Sequence, residues 1–140
     1  MDLLSDTWHG SYAYPRQWPD NGLWPDNDFV ATLLQTGPTL TGAVHEVCSH
    51  GPLKGRLLHA RLQGSRNAAR VRFVKTYDPD ELPQPRPPIF YEGTLNGDAS
   101  EIAGFWRIGT LAPGRFLMLR ANRRAFSVAR RRRVSIGAER

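Results

Sequence analysis

The sequence predicts an all-β chain: an eight-stranded antiparallel up-and-down β-barrel followed by a basic C-terminal tail. Three observations predict it. Apolar residues recur with a period of two almost everywhere, the mark of half-buried strands. Segments rich in Val, Ile, Phe, Tyr and Thr are broken by turn residues drawn from 11 prolines and 13 glycines. The connections alternate between short and long, which in a meander gathers the tight turns at one end and the long loops at the other. Closure into a barrel then removes the exposed strand edges. A two-sheet sandwich with Greek-key crossovers is the competing arrangement, and it does not account for that alternation.

The strands fall at about 7–14, 28–36, 39–48, 56–64, 69–77, 88–95, 100–108 and 114–121. The first sets Trp8, Gly10, Tyr12 and Tyr14 on one face. With that face inward, the later strands turn Phe29, Leu33, Leu40, Val44, Glu46, Phe73, Lys75, Tyr77, Tyr91, Trp106, Met118 and Arg120 into the lumen, and the fourth contributes Leu58, Ala60 and Leu62. The tight connections are Thr36-Gly37-Pro38-Thr39, Gly64-Ser65-Arg66-Asn67 and Asn96-Gly97-Asp98, the last carrying the Asn-Gly pair favoured by type I′ turns. The long connections cover 15–27, 49–55, 78–87 and, less markedly, 109–113. No segment holds a helical period over three turns, so little helix is expected outside the tail.

The formal charge of +6 lies in the last nineteen residues, where seven arginines meet one glutamate; the remaining twelve basic and twelve acidic residues leave the body neutral. Residues 1–121 are expected to form the barrel domain and 122–140 a flexible Arg-rich tail. Cys48 is the single cysteine, which excludes an internal disulfide and suits a reducing compartment. The first residues show no basic segment followed by a long apolar run, and a cytoplasmic location is the expectation.

Trp8-x-Gly10-x-Tyr12 at the head of the first strand resembles the N-terminal signature of the calycins, the superfamily of lipocalins, fatty-acid-binding proteins and avidins. The resemblance implies a first-strand tryptophan packed at the closed end beneath a basic residue of the last strand, here Trp8 under Arg120. Pro38-Thr39-Leu40-Thr41-Gly42 resembles the turn into the third avidin strand. Val71-x-Phe73-x-Lys75-x-Tyr77, Ile89-x-Tyr91-x-Gly93 and Ile102-x-Gly104-x-Trp106 are similar to the rhythm of avidin strands five to seven. Phe73 and Tyr91 stand where that rhythm carries biotin-contacting tryptophans, so the resemblance does not extend to biotin. A haem-binding barrel of the nitrobindin type needs a lumen histidine on a late strand, whereas His9, His45, His50 and His59 all lie in the first half.

Strand direction places Tyr12, Tyr14, Glu46, Lys75, Tyr77, Tyr91 and Trp106 in the upper lumen, near the long loops. Aromatic walls with a few convergent polar groups are what a small-molecule pocket needs. Trp18 and Trp24, in the repeated Trp-Pro-Asp-Asn of the first long loop, stand ready to cover the mouth. The leading expectation is non-catalytic binding of a small amphipathic or aromatic molecule there, without a cofactor or a metal. The plainer alternative is that the same side chains fill a narrow barrel. Two further readings stay open. A protein- or polyanion-binding module would work through the loop rim or through Arg123, Arg124, Arg130, Arg131, Arg132 and Arg133. A small barrel enzyme would use Glu46 or Lys75. The segment from Asp78 to Pro88 is expected to be a stiff, polyproline-like rim.

Overall fold

The computed structural model describes residues 3–18 and 24–121, so the Arg-rich segment with its proposed polyanion contacts lies outside the described residues. The strands run β1 Asp6–Ala13, β2 Asn27–Thr36, β3 Thr39–Val47, β4 Leu57–Asn67, β5 Arg70–Tyr77, β6 Ile89–Leu95, β7 Glu101–Arg107 and β8 Gly114–Arg120. Each pairs antiparallel with its sequence neighbours, and β8 returns to β1 to close the barrel. The predicted architecture is the one observed, and a sandwich is excluded by the closing β1–β8 ladder. Among the described residues no helix is long and apolar enough to cross a membrane.

Alternation of side chains drives the closure. On β2, Phe29, Ala31 and Leu33 are buried while Asp28, Thr32 and Leu34 are exposed, and β5 and β6 alternate in the same way. β4 turns Leu58, Ala60 and Leu62 inward as expected. Burying a leucine or valine of this kind contributes about 1.5–3 kcal/mol relative to exposure. β8 breaks the pattern, because Leu117 and Leu119 on its outer face are buried too.

Two turns differ from expectation. The β4–β5 hairpin does not turn at 64–67. Strand pairing continues to Asn67 opposite Arg70, and Ala68 and Ala69 make the turn, with Ala68 at φ 54°. Gly64 is a contact glycine rather than a turn glycine: a Cβ there would lie 1.9 Å from the Arg72 carbonyl and 2.5 Å from the Phe73 Cα. The Asn96-Gly97 pair does not make a type I′ turn either. Asn96 Oδ1 instead accepts from the backbone N–H groups of Ser100 (2.9 Å) and Glu101 (3.0 Å), and the positive φ of 56° falls on Ala99. The wider loop serves the barrel floor, since the Ala99 carbonyl accepts from Arg120 at 3.0 Å. The Gly37-Pro38 turn is tight as predicted. Gly37 at φ +57° takes the first central position, and Pro38 cannot take a positive φ, which selects the II′ form.

The tight-turn end is sealed. Trp8 is wholly buried and donates from Nε1 to the Leu4 carbonyl at 3.0 Å. The Arg120 guanidinium lies 5.2 Å from the centre of the Trp8 ring, donates to Asp6 Oδ2 at 2.9 Å, and also reaches the Leu3 carbonyl. One cation thus ties β8 to the N-terminal segment and to the β6–β7 loop.

Candidate functional site at the barrel mouth

The opposite end is open. A cavity of about 460 Å³ sits among the β1–β2, β3–β4, β5–β6 and β7–β8 connections. Its size falls within the usual range for small-molecule sites. A larger groove of about 690 Å³ runs along the outside of β4–β7, past Phe90, Phe105 and the exposed Arg72–Glu92 pair. The mouth cavity is the better candidate, because buried polar groups converge on it.

Glu46 is the centre of its floor. β3 turns this residue inward opposite Phe29 and Leu58, and only 3% of it is exposed. Its Oε2 accepts from the hydroxyls of Tyr12 (2.7 Å) and Tyr77 (2.9 Å), with Asn27 Nδ2 at 3.4 Å. Its Oε1 accepts from Lys75 Nζ at 2.5 Å. The ammonium is enclosed by rings, 4.7 Å from the centres of both Tyr12 and Tyr77, 5.5 Å from Phe29 and 5.9 Å from Tyr91. Burial alone would lower the Lys75 pKa; the neighbouring Tyr91 and Glu46 outweigh it, and the net shift is upward. The ion pair is therefore charge-compensated and hydrogen-bonded, as a buried pair must be to persist.

Burial also pushes up the tyrosines. Desolvation, then the neighbouring Tyr77 and Glu46, raises Tyr12. Tyr14 is pushed up to about 12, chiefly by desolvation. Tyr77 and Tyr91 rise for the same leading reason, reinforced in Tyr77 by Glu46 and opposed in Tyr91 by Lys75. All four of the chain's tyrosines are in this site, and all are neutral phenols at ordinary pH.

Above the floor stands an aromatic collar organised on Tyr14, where β1 leaves the barrel. Its ring meets Tyr12, Trp18, Trp24, His50 and Trp106 edge-on, with centroids 4.9–5.9 Å apart. Such edge-to-face pairs contribute about 0.5–1.5 kcal/mol each beyond their burial. Trp18 Nε1 donates to the Ala112 carbonyl at 2.8 Å, fastening the first long loop to the β7–β8 connection, and Trp106 Nε1 donates to the Ala13 carbonyl at 3.1 Å, tying β7 to the end of β1.

The cavity is lined by eight of the nine mouth residues singled out from the sequence: Tyr12, Tyr14, Trp18, Trp24, Glu46, Tyr77, Tyr91 and Trp106. Lys75 stands apart from them. It packs beneath Glu46, where it holds the carboxylate instead of lining the cavity. Trp8 and Arg120 lie at the sealed end.

Sequence reasoning missed His50, Asn27 and Arg86. His50 stacks on Trp24 at 4.1 Å, and its pKa is lowered by burial and then by Arg86. Asn27 is buried and bridges strands, donating to the Val47 carbonyl at 3.2 Å and accepting from the Ser49 N–H at 2.9 Å. Its place opposite Tyr12, at the start of β2, was the available signal. Arg86 lies over the Tyr77 ring at 5.2 Å. Its loop is not uniformly polyproline-like, because Pro79–Glu81 forms a turn of 3-10 helix capped by Asp78. Glu81 clips that turn to β4, accepting from the His59 N–H at 2.6 Å and lying 2.8 Å from its Nδ1. The His59 hydrogen bond is the main reason the Glu81 pKa is lowered. Among the described residues no group of His, Cys, Asp and Glu is arranged to hold a metal ion.

Compared with protein-family models, curated proteins and solved structures, the chain matches none. What stands is the architecture: a closed eight-stranded up-and-down β-barrel, consistent with a calycin-like fold, sealed at one end and carrying a ring-walled cavity at the other.

Proposed function

We propose that this protein is a non-catalytic, calycin-like binding barrel that takes a small amphipathic or aromatic molecule into its mouth, in a reducing, cytoplasmic setting. The observation that carries the reading is the cavity itself: about 460 Å³, walled by Tyr14, Trp18, Trp24 and Trp106, above a polar floor whose charges are already balanced. Aromatic walls supply apolar area for affinity, and a few fixed polar atoms supply orientation. Both oxygens of Glu46 are engaged by donors, which favours a fixed recognition surface over a free general base. The test is titration with the neutral fluorophore N-phenyl-1-naphthylamine, read by its emission and by quenching of the tryptophans. The expected result is saturable, one-to-one binding that weakens at least about fivefold in Trp24→Ala, as loss of one aromatic contact would produce. Absence of saturable binding, with no rise in melting temperature, would overturn the reading.

A further inference from the structure

The mouth cavity has two chemically distinct ends. Resting on the binding reading above, we infer that its ligand class is an aromatic acid: one or two fused rings with a carboxylate at the rim and a neutral hydrogen-bond donor at the deep end.

The rim end is set by Arg86. It is the one Lys or Arg among the described residues that line the cavity. No carboxylate among the described residues pairs with it; its guanidinium rests instead over the Tyr77 ring. The prolines on either side, in Pro85-Arg86-Pro87-Pro88, restrict the backbone that carries it. The Glu81–His59 clip anchors the same loop to β4. A guanidinium presented in this way meets a carboxylate as a two-toothed partner. His50, with its lowered pKa, adds no competing positive charge at neutral pH.

The deep end is set by how the floor spends its protons. Tyr12 and Tyr77 both donate to Glu46, so their hydroxyl oxygens keep lone pairs and have no proton left to offer. Those oxygens lie 3.4 Å apart and accept from a hydroxyl or N–H placed above them. A second carboxylate at this end would face Glu46. A cation would face a carboxylate already neutralised by Lys75. A neutral donor is what remains. Tyr77 spans the two ends, with Arg86 over its ring and its hydroxyl on the floor, so a ligand that reaches both is about as long as one or two aromatic rings. The Trp18, Trp24 and Trp106 faces supply the side walls.

The experiment compares isosteres on the full-length chain by calorimetry and tryptophan quenching. The probes are 6-hydroxy-2-naphthoate, its methyl ester, 6-methoxy-2-naphthoate and (6-hydroxy-2-naphthyl)methylammonium. The acid is expected to bind about tenfold more tightly than the ester, the range of one charge-assisted hydrogen-bonded contact. That advantage should shrink with added salt and vanish in Arg86→Gln, an exposed substitution that leaves the barrel intact. The hydroxy acid should also outbind the methoxy acid in the wild type, which tests the deep donor without any variant. The inference is overturned if acid and ester bind equally, if Arg86→Gln leaves their ratio unchanged, if the ammonium binds best, or if the methoxy and hydroxy acids are equivalent. In each of those cases N-phenyl-1-naphthylamine still binds and the binding reading survives. If no aromatic probe binds at all, both fall.

Discussion

Lys75→Met removes the cation beneath Glu46 and keeps a side chain of similar length. The two side chains are each only 2% exposed, so water cannot replace the lost partner. At 2.5 Å separation and an effective dielectric of about 20, the gross attraction is roughly 6–7 kcal/mol. Most of that is offset by the desolvation of both ions. The net cost of leaving one charge buried alone is about 3–5 kcal/mol. The hydroxyls of Tyr12 and Tyr77 still donate to the carboxylate, which places the loss near the lower end, about 3 kcal/mol. For a chain of this size that is a fall in melting temperature of roughly 10 °C. Thermal and urea unfolding measure it directly. Glu46→Gln added to Lys75→Met removes the charge and keeps an acceptor for both hydroxyls, and it should recover about half of the loss or more. A cost below about 1 kcal/mol, or a double variant no more stable than Lys75→Met alone, would mean that Lys75 does not compensate a buried Glu46 charge.

Three further outcomes are expected. The tyrosines are raised, Tyr14 to about 12, so between the ordinary phenol range near 10 and about 12 the folded state keeps protons that the unfolded state releases. Stability is then full below about pH 10 and falls above it, with the raised Lys75 acting in the same direction. Absorbance at the tyrosinate band should appear together with loss of near-ultraviolet circular dichroism, and tyrosinate formation in a still-folded barrel would contradict this. Gly64→Ala places a methyl 1.9 Å from the Arg72 carbonyl and should cost at least about 2 kcal/mol. Gly97→Ala meets nothing within 4 Å and should be neutral or stabilising by about 0.4–1 kcal/mol in urea titrations, so the opposite order would sink the assignment of Gly64 as a contact glycine. Trp8→Ala should cost about 3–5 kcal/mol by emptying the sealed end beneath Arg120, yet leave N-phenyl-1-naphthylamine affinity unchanged in the protein that still folds. A parallel loss of affinity would mean that the two ends are not independent.

Much of this molecule was determined by local pattern. Strand spacing, alternation and the short-long order of connections are properties of neighbouring residues, and they sufficed for the eight-stranded closed barrel and for the inward set from Trp8 to Arg120. Period two also brought Tyr12, Glu46, Lys75 and Tyr77 to one end of the lumen, because strand direction converts sequence position into depth. What pattern could not supply was the outcome of contacts between distant residues. Gly64 carries a turn residue's signature, but close packing on Phe73 keeps it in the strand and moves the turn to Ala68 and Ala69. Asn96-Gly97 has the local chemistry of a type I′ turn, but the Asn96 side chain and the grip of Arg120 on Ala99 stabilise a wider loop. Lys75 faces inward by period, but only the three-dimensional arrangement puts it beneath Glu46, so that it fixes the carboxylate from below. The barrel, its polarity and the residues near its mouth therefore follow from local periodicity. Only contacts between distant residues settled which polar groups spend their protons on one another and which, like Arg86 and the Tyr12–Tyr77 oxygens, are left lining the cavity.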